Sequence, residues 1–397
     1  MFSDEYMKWR LSENIRPTEL SSINQYISDL QNIENSWSGL VSAVNLNTFI
    51  MEAVQQLINA MVLFEQGYFD CAYYSLRSAV DISTTMVFLA DMPYNERQDF
   101  FDAWKGSKDF PMQGQMIKLL TSRGNVFADM KGKMPQFFAD AKTLSSELNK
   151  YVHKQGPQHF YVSRNHFNVT PQFQQSFVLT FESYLQRCIG VVAVMRLAID
   201  AFPILLLDEE FLYRCFDSIT DPYSPGFIEK YIGQGIIDAY KRTEIYLETY
   251  EFFMLNEKKN EVVFNIVKYQ IIDCEQIDRI MEQLHLLSRD DIICVALAVS
   301  CNKVAKIYCR SIMQTYLTER KTKRKASSWH SIDFDRFAEN PDKVNQPYDE
   351  AYISVLLFDK DPFFIEHNEL LCNEEIEHMC IAVAEMLSRV RSSIPEM

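Results

Sequence analysis

The stretch Tyr68–Asp91, YFDCAYYSLRSAVDISTTMVFLAD, limits what this chain can become more than any other. Phe69, Ala72, Tyr73, Leu76, Ala79, Val80, Ser83, Met86, Val87 and Ala90 recur at the three-and-four spacing of one helical face. A helix with so broad an apolar stripe must be covered by other elements, and the neighbouring sequence offers helices to cover it. Asn47–Gly67 carries Ile50, Val54, Leu57, Ile58, Met61 and Phe64 in the same rhythm. The break at Gln66–Gly67 predicts an antiparallel hairpin between the two. Arg77 and Asp81 lie four apart at the edge of the stripe, where they can pair while the neighbouring helix covers their stems.

Further helices are expected at Pro17–Trp37, from Pro135 through Val152, and from Pro171 to about Ala201. Ser218–Gly226, SITDPYSPG, is the best linker candidate. Beyond it the reading places Phe227–Leu255, Val262–Ile271 and Glu275–Leu287, then a long helix from Asp290 to about Lys321 and a closing one at Asn373–Val390. Only 11 Gly and 13 Pro interrupt the 397 residues, as long helices with short connections require. The expected fold is therefore all-α: an N-terminal helical bundle at 1–217 and a second helical domain at 226–397.

A net charge of −15 argues against broad electrostatic binding to nucleic acid, which needs clustered Lys and Arg. The nine Cys include no Cys-x-x-Cys pair, and Cys294, Cys301 and Cys309 fit one helix face as buried small hydrophobes of a reducing cytosol. Neither a zinc set nor a cofactor motif is visible, so no metal and no cofactor are expected. The first residues, MFSDEYMKWR, lack the apolar core of a signal peptide. The most apolar run, Cys188–Leu207, is interrupted by Arg196, Asp200 and Pro203. A cytoplasmic protein without a membrane span is expected.

The strongest candidate site joins Arg77 and Asp81 to Asn149 and His153 of SSELNKYVHKQG. Asn149 and His153 are also four apart and share one helical face, so antiparallel packing would bring the two flanks together. A base, a cation and a hydrogen-bonding amide are the minimum for attack by an RNA 2′-hydroxyl without a metal. The stretch YYSLRSAVD at 73–81, followed by LNKYVHKQG at 148–156, resembles the HEPN group of helical-bundle proteins over residues 46–200. The resemblance implies a bundle that acts on or senses RNA in bacterial phage defence or a toxin–antitoxin system, in many members as a metal-independent ribonuclease. It also implies a homo-oligomer, a dimer with its cleft between two bundles, and an antitoxin or other protein partner. In that family an Arg stands before the His with four to six residues between them. Here Ser146, Glu147 and Leu148 stand before His153, which leaves Arg77 as the cation. Three readings stay open: cleavage, binding without cleavage, and a structural polar cluster.

The one dense positive run, ERKTKRK at Glu319–Lys325, offers Lys321, Lys323, Arg324 and Lys325 to phosphates, with Trp329 for stacking. The same run also suits a solvated helix end. Glu374, Glu375, Glu377 and His378 suggest a metal site on paper, but acids in a first helical turn are explained by the helix dipole. The rival to an RNA-directed protein is a non-enzymatic helical adaptor whose aromatic seams bind a partner protein.

Overall fold

The structure, a computed structural model, describes residues 3–5, 8, 18–106, 110–160, 171–214, 219–309, 314–320, 331–339, 344–348 and 351–393. It divides into two compact units. Met1–Leu212 with Ser218–Leu255 form one, and Tyr213–Asp217 with Asn256–Met397 form the other.

The first unit is helical. Its main elements are α1 (Ile23–Glu34), α2 (Asn47–Glu65), α3 (Phe69–Ala90), α4 (Tyr94–Lys105), α5 (Gln113–Arg123), α6 (Val126–Lys133), α7 (Pro135–Val152), α8 (Pro171–Arg196), α9 (Gln234–Tyr240) and α10 (Glu244–Met254). Gly67 sits at φ +83°, a left-handed conformation that glycine adopts without strain, and it turns the chain from α2 back along α3. Helix α3 is central. Beyond its apolar stripe it also buries Ser75, Thr84, Phe88 and Leu89, because α2, α5, α7 and α8 all pack against it.

Aromatic stacking ties these helices together. Phe64 of α2 lies on Phe181 of α8 with centroids 3.8 Å apart, and Tyr73 of α3 lies on Tyr151 of α7 at 3.9 Å. Leu76, Leu57, Met61 and Phe64 are all fully buried. Leu76→Ala is therefore expected to cost about 2–5 kcal/mol in urea denaturation; a loss below about 0.5 kcal/mol would be at odds with this core. Helix α8 also passes very close to the π-helical turn Ile228–Ile232. A Cβ on Gly190 would stand 2.1 Å from the Tyr231 carbonyl oxygen, so only glycine fits there.

By length and composition, Gln175–Arg196 within α8 could cross a membrane, but half of that window is buried inside the structure, as in a core helix.

The second unit overturns the all-α expectation. It contains α11 (Glu261–Tyr269), β1 (Ile271–Ile272), α12 (Ile277–Glu282), α13 (Arg289–Ser300), β2 (Val304–Cys309), β3 (Gln314–Thr318), α14 (Ser331–Ala338), β4 (Gln346–Tyr348), β5 (Ala351–Phe358), β6 (Asp361–His367) and α15 (Asn373–Ser393). The six strands form one mixed sheet in the order β1-β3-β2-β6-β5-β4. Among the described residues only the β1–β3 pairing is parallel. The long helix expected from Asp290 ends at Ser300. Cys301 is extended at φ −142°, and the chain returns as β2 and β3.

Helices α13 and α15 pack with Ile307, Cys309, Phe363 and Ile365 on one face of the sheet. On the other face, Phe334 and Phe337 of α14 meet Tyr308, Ile353, Val355 and Phe364. Ser288 caps α13: its hydroxyl accepts from the Asp291 N–H at 3.2 Å, and Asp291 accepts the Ser288 N–H at 2.9 Å.

Candidate functional site

The polar cluster of the first unit is built from three helices. Arg77 projects from α3, where its Nε–H donates to Asn149 Oδ1 of α7 at 2.8 Å and its Nη2 to Gln113 Oε1 of α5 at 2.9 Å. Its third side faces Asp81, one turn on, in an ion pair. Gln113 passes the chain on, donating from Nε2 to Thr84 Oγ1 at 3.3 Å, and Thr84 donates to the Val80 carbonyl at 2.9 Å. Burial pushes the Asp81 carboxyl above its ordinary range, and the neighbouring Arg77 charge partly offsets this.

The structure thus brings Arg77, Asp81 and Asn149 together and adds Gln113, which the sequence reading missed. His153 stands apart. It is the residue that ends α7, its N–H donating to the Asn149 carbonyl at 2.8 Å, and its side chain is exposed. Among the described residues no hydrogen bond or ion pair links its ring to the cluster. The buried imidazole nearby is that of His159, whose Nδ1–H donates to the Gln155 carbonyl at 2.6 Å and whose ring meets Tyr151 edge-on at 4.7 Å.

Beside the cluster lies a cavity of about 460 Å³ between α3, α5, α6, α7 and α8, with Gln113, Thr84 and Asn149 in its wall. Phe127, Phe137, Phe138, Val191 and Met195 make most of the remaining surface apolar. Three lysines complete it: Lys118, Lys131 and Lys142. Among the described residues no Asp or Glu lines it, in a chain of net charge −15. Lys131 donates to Thr121 Oγ1 at 3.1 Å, while Lys118 and Lys142 are exposed and have no ion-pair partner among the described residues. Their sequence signal was faint, because isolated lysines on amphipathic helices are ordinary surface residues.

Lys321, Lys323, Arg324, Lys325 and Trp329 lie outside the described residues. Arg320, just before them, is tied down, donating to the Ala298 carbonyl at 2.8 Å and pairing with Glu319 at 3.2 Å. The acids at the start of α15 do not converge: Glu375 accepts from Lys303 and from the Cys372 N–H, and His378 sits against the Ser300 carbonyl. Among the described residues no group of three His, Cys, Asp or Glu side chains could hold a metal ion.

The second unit holds a pair that looks catalytic at first sight. Ser354 Oγ is 2.8 Å from His367 Nε2, while His367 Nδ1 is 2.8 Å from the Glu369 carbonyl. That carbonyl fixes the proton on Nδ1, so Nε2 accepts from Ser354, whose oxygen in turn accepts the Asn345 N–H at 3.0 Å. Both side chains are fully buried, so no substrate reaches them. Burial also drives the His367 pKa down to about 4. The pair locks β5 to β6. Comparison of the chain with protein-family models, with curated proteins and with solved structures returns no significant match, so the HEPN resemblance rests on the residues quoted above.

Proposed function

We propose that the helical unit binds RNA, or a nucleotide derived from it, in the cavity beside Arg77 and holds it without cutting it. The observation that carries this reading is the charge of the cavity wall: among the described residues it has three lysines and no carboxylate, in an acidic chain. Its volume, about 460 Å³, and its apolar lining with few polar groups suit a small ligand or one unpaired nucleotide. A base would lie against Phe137 and Phe138, and its phosphate would meet Lys118 and Lys142 at the surface.

Cleavage fits the geometry less well. A general base must come within hydrogen-bond reach of the 2′-hydroxyl, and the exposed His153 is not joined to the cluster. Arg77 already serves three acceptors, so it stiffens the wall between α3, α5 and α7 rather than waiting for a transition state. A module that binds without consuming its ligand suits a sensor in phage defence or a toxin–antitoxin system.

Fluorescence anisotropy with a labelled single-stranded RNA in EDTA tests this. The wild type is expected to bind in a salt-sensitive way and to leave the RNA intact. Lys118→Glu combined with Lys142→Glu should weaken binding at least about tenfold at unchanged melting temperature. Binding that survives the double reversal, or cleavage that disappears in His153→Ala, contradicts the reading.

A further inference from the structure

A second cavity, also about 460 Å³, lies on the other flank of α7. Phe137, Ala141 and Val191 line both cavities. Phe137 and Ala141 are one helical turn apart, so they form a ridge with a chamber on each side. Among the described residues the charged groups of the second chamber are Arg187 and Asp140, and Ile236 closes part of its wall. Arg187 is 36% exposed and donates to Glu147 Oε2 at 2.8 Å. Ion pairs this exposed are weak, so the guanidinium can turn to another anion. The first chamber is strongly positive, whereas the second carries one charge of each sign.

We propose that the two chambers are subsites of one groove and that the ligand spans at least two nucleotides. This rests on the nucleotide reading of the first chamber and extends it. The first base and its 5′-phosphate occupy the lysine-lined chamber. The phosphate joining the two nucleotides crosses the ridge towards Arg187, which donates to its oxygens in fork geometry. The second nucleoside enters the other chamber, where Asp140 accepts from a ribose hydroxyl. No bond is made or broken.

Isothermal titration calorimetry with AMP and UMP, and with the 5′-phosphorylated dinucleotides pApA and pUpU, tests the inference. At least one dinucleotide is expected to bind about tenfold or more tightly than its mononucleotide, because the second contact becomes intramolecular. Arg187→Ala, and separately Ile236→Trp, which fills the second chamber, should each erase that advantage and leave mononucleotide affinity unchanged. Equal affinities in the wild type, or an advantage that survives both variants, would overturn the inference while the one-nucleotide site stands. Failure of all four ligands to bind removes the proposed function and the inference together.

Discussion

Arg196→Met is expected to destabilise the helical unit by about 3–5 kcal/mol, the cost of stranding one member of a buried ion pair. Arg196 is fully buried near the C-terminus of α8, and Asp200 is 3% exposed. The guanidinium donates to both Asp200 carboxylate oxygens, at 3.1 and 3.2 Å, and to the Ser36 carbonyl at 2.6 Å. Methionine fills a similar volume, so little of the loss would come from a cavity. Among the described residues the carboxylate would keep only the Phe202 N–H at 3.2 Å, and the Ser36 carbonyl would lose this donor. Urea denaturation followed by tryptophan fluorescence measures the effect, since Trp37 adjoins Ser36. Arg196→Met with Asp200→Leu should recover much of the loss, because it leaves no buried charge unpaired. A loss below about 1 kcal/mol for the single variant would mean that water reaches the pair.

Mild acid is expected to weaken the second unit through His367. The unfolded chain takes up a proton near the ordinary pKa of about 6.5, whereas the folded imidazole resists until about 4. Between those values the unfolded state binds more protons, so stability rises with pH through the window and is fully present above it. Acidification from pH 7 to about 4 should therefore remove on the order of 3 kcal/mol through this one group. Carboxylates such as Glu375, held below their usual range by Lys303, add losses at the acid end. His367→Gln isolates the histidine, because the amide can still bond Ser354 and the Glu369 carbonyl. Its stability should depend less steeply on pH between 4 and 6.5 than that of the wild type. An identical slope would show that the imidazole protonates freely in the folded protein.

Legibility in the sequence followed the physics of each unit. Helices α2 and α3 could be read because a stripe of period 3.6 and a glycine break leave few alternatives, and the flanks carrying Arg77 and Asn149 follow from the same spacing. Gln113 could not be read, since nothing in the short polar run Gln113-Gly114-Gln115 marks one glutamine as an acceptor for a distant arginine. The sheet was hidden for two reasons. Strands β2 and β5 are covered on both faces, so VAKIYC and AYISVLLF lack the alternation that marks a half-buried strand. The β5–β6 turn is Asp359-Lys360, both at positive φ (52° and 75°), where an Asn-Gly pair would have announced a hairpin. Cys294, Cys301 and Cys309 then kept helical spacing across a helix that ends at Ser300. The lysines of the cavity wall come from three separate helices, and only the packing of those helices gathers them.

Photocrosslinking with 4-thiouridine-labelled RNA, followed by mass spectrometry of the crosslinked peptides, tests the central claim most directly. It also separates the cavity from the basic run at 319–325 as the place where nucleic acid is held. The expected result is crosslinks within residues 113–149, concentrated at Phe127, Phe137 or Phe138 and lost when Lys118 and Lys142 are both reversed to Glu. Crosslinks confined to 319–330, or none at all, would contradict it.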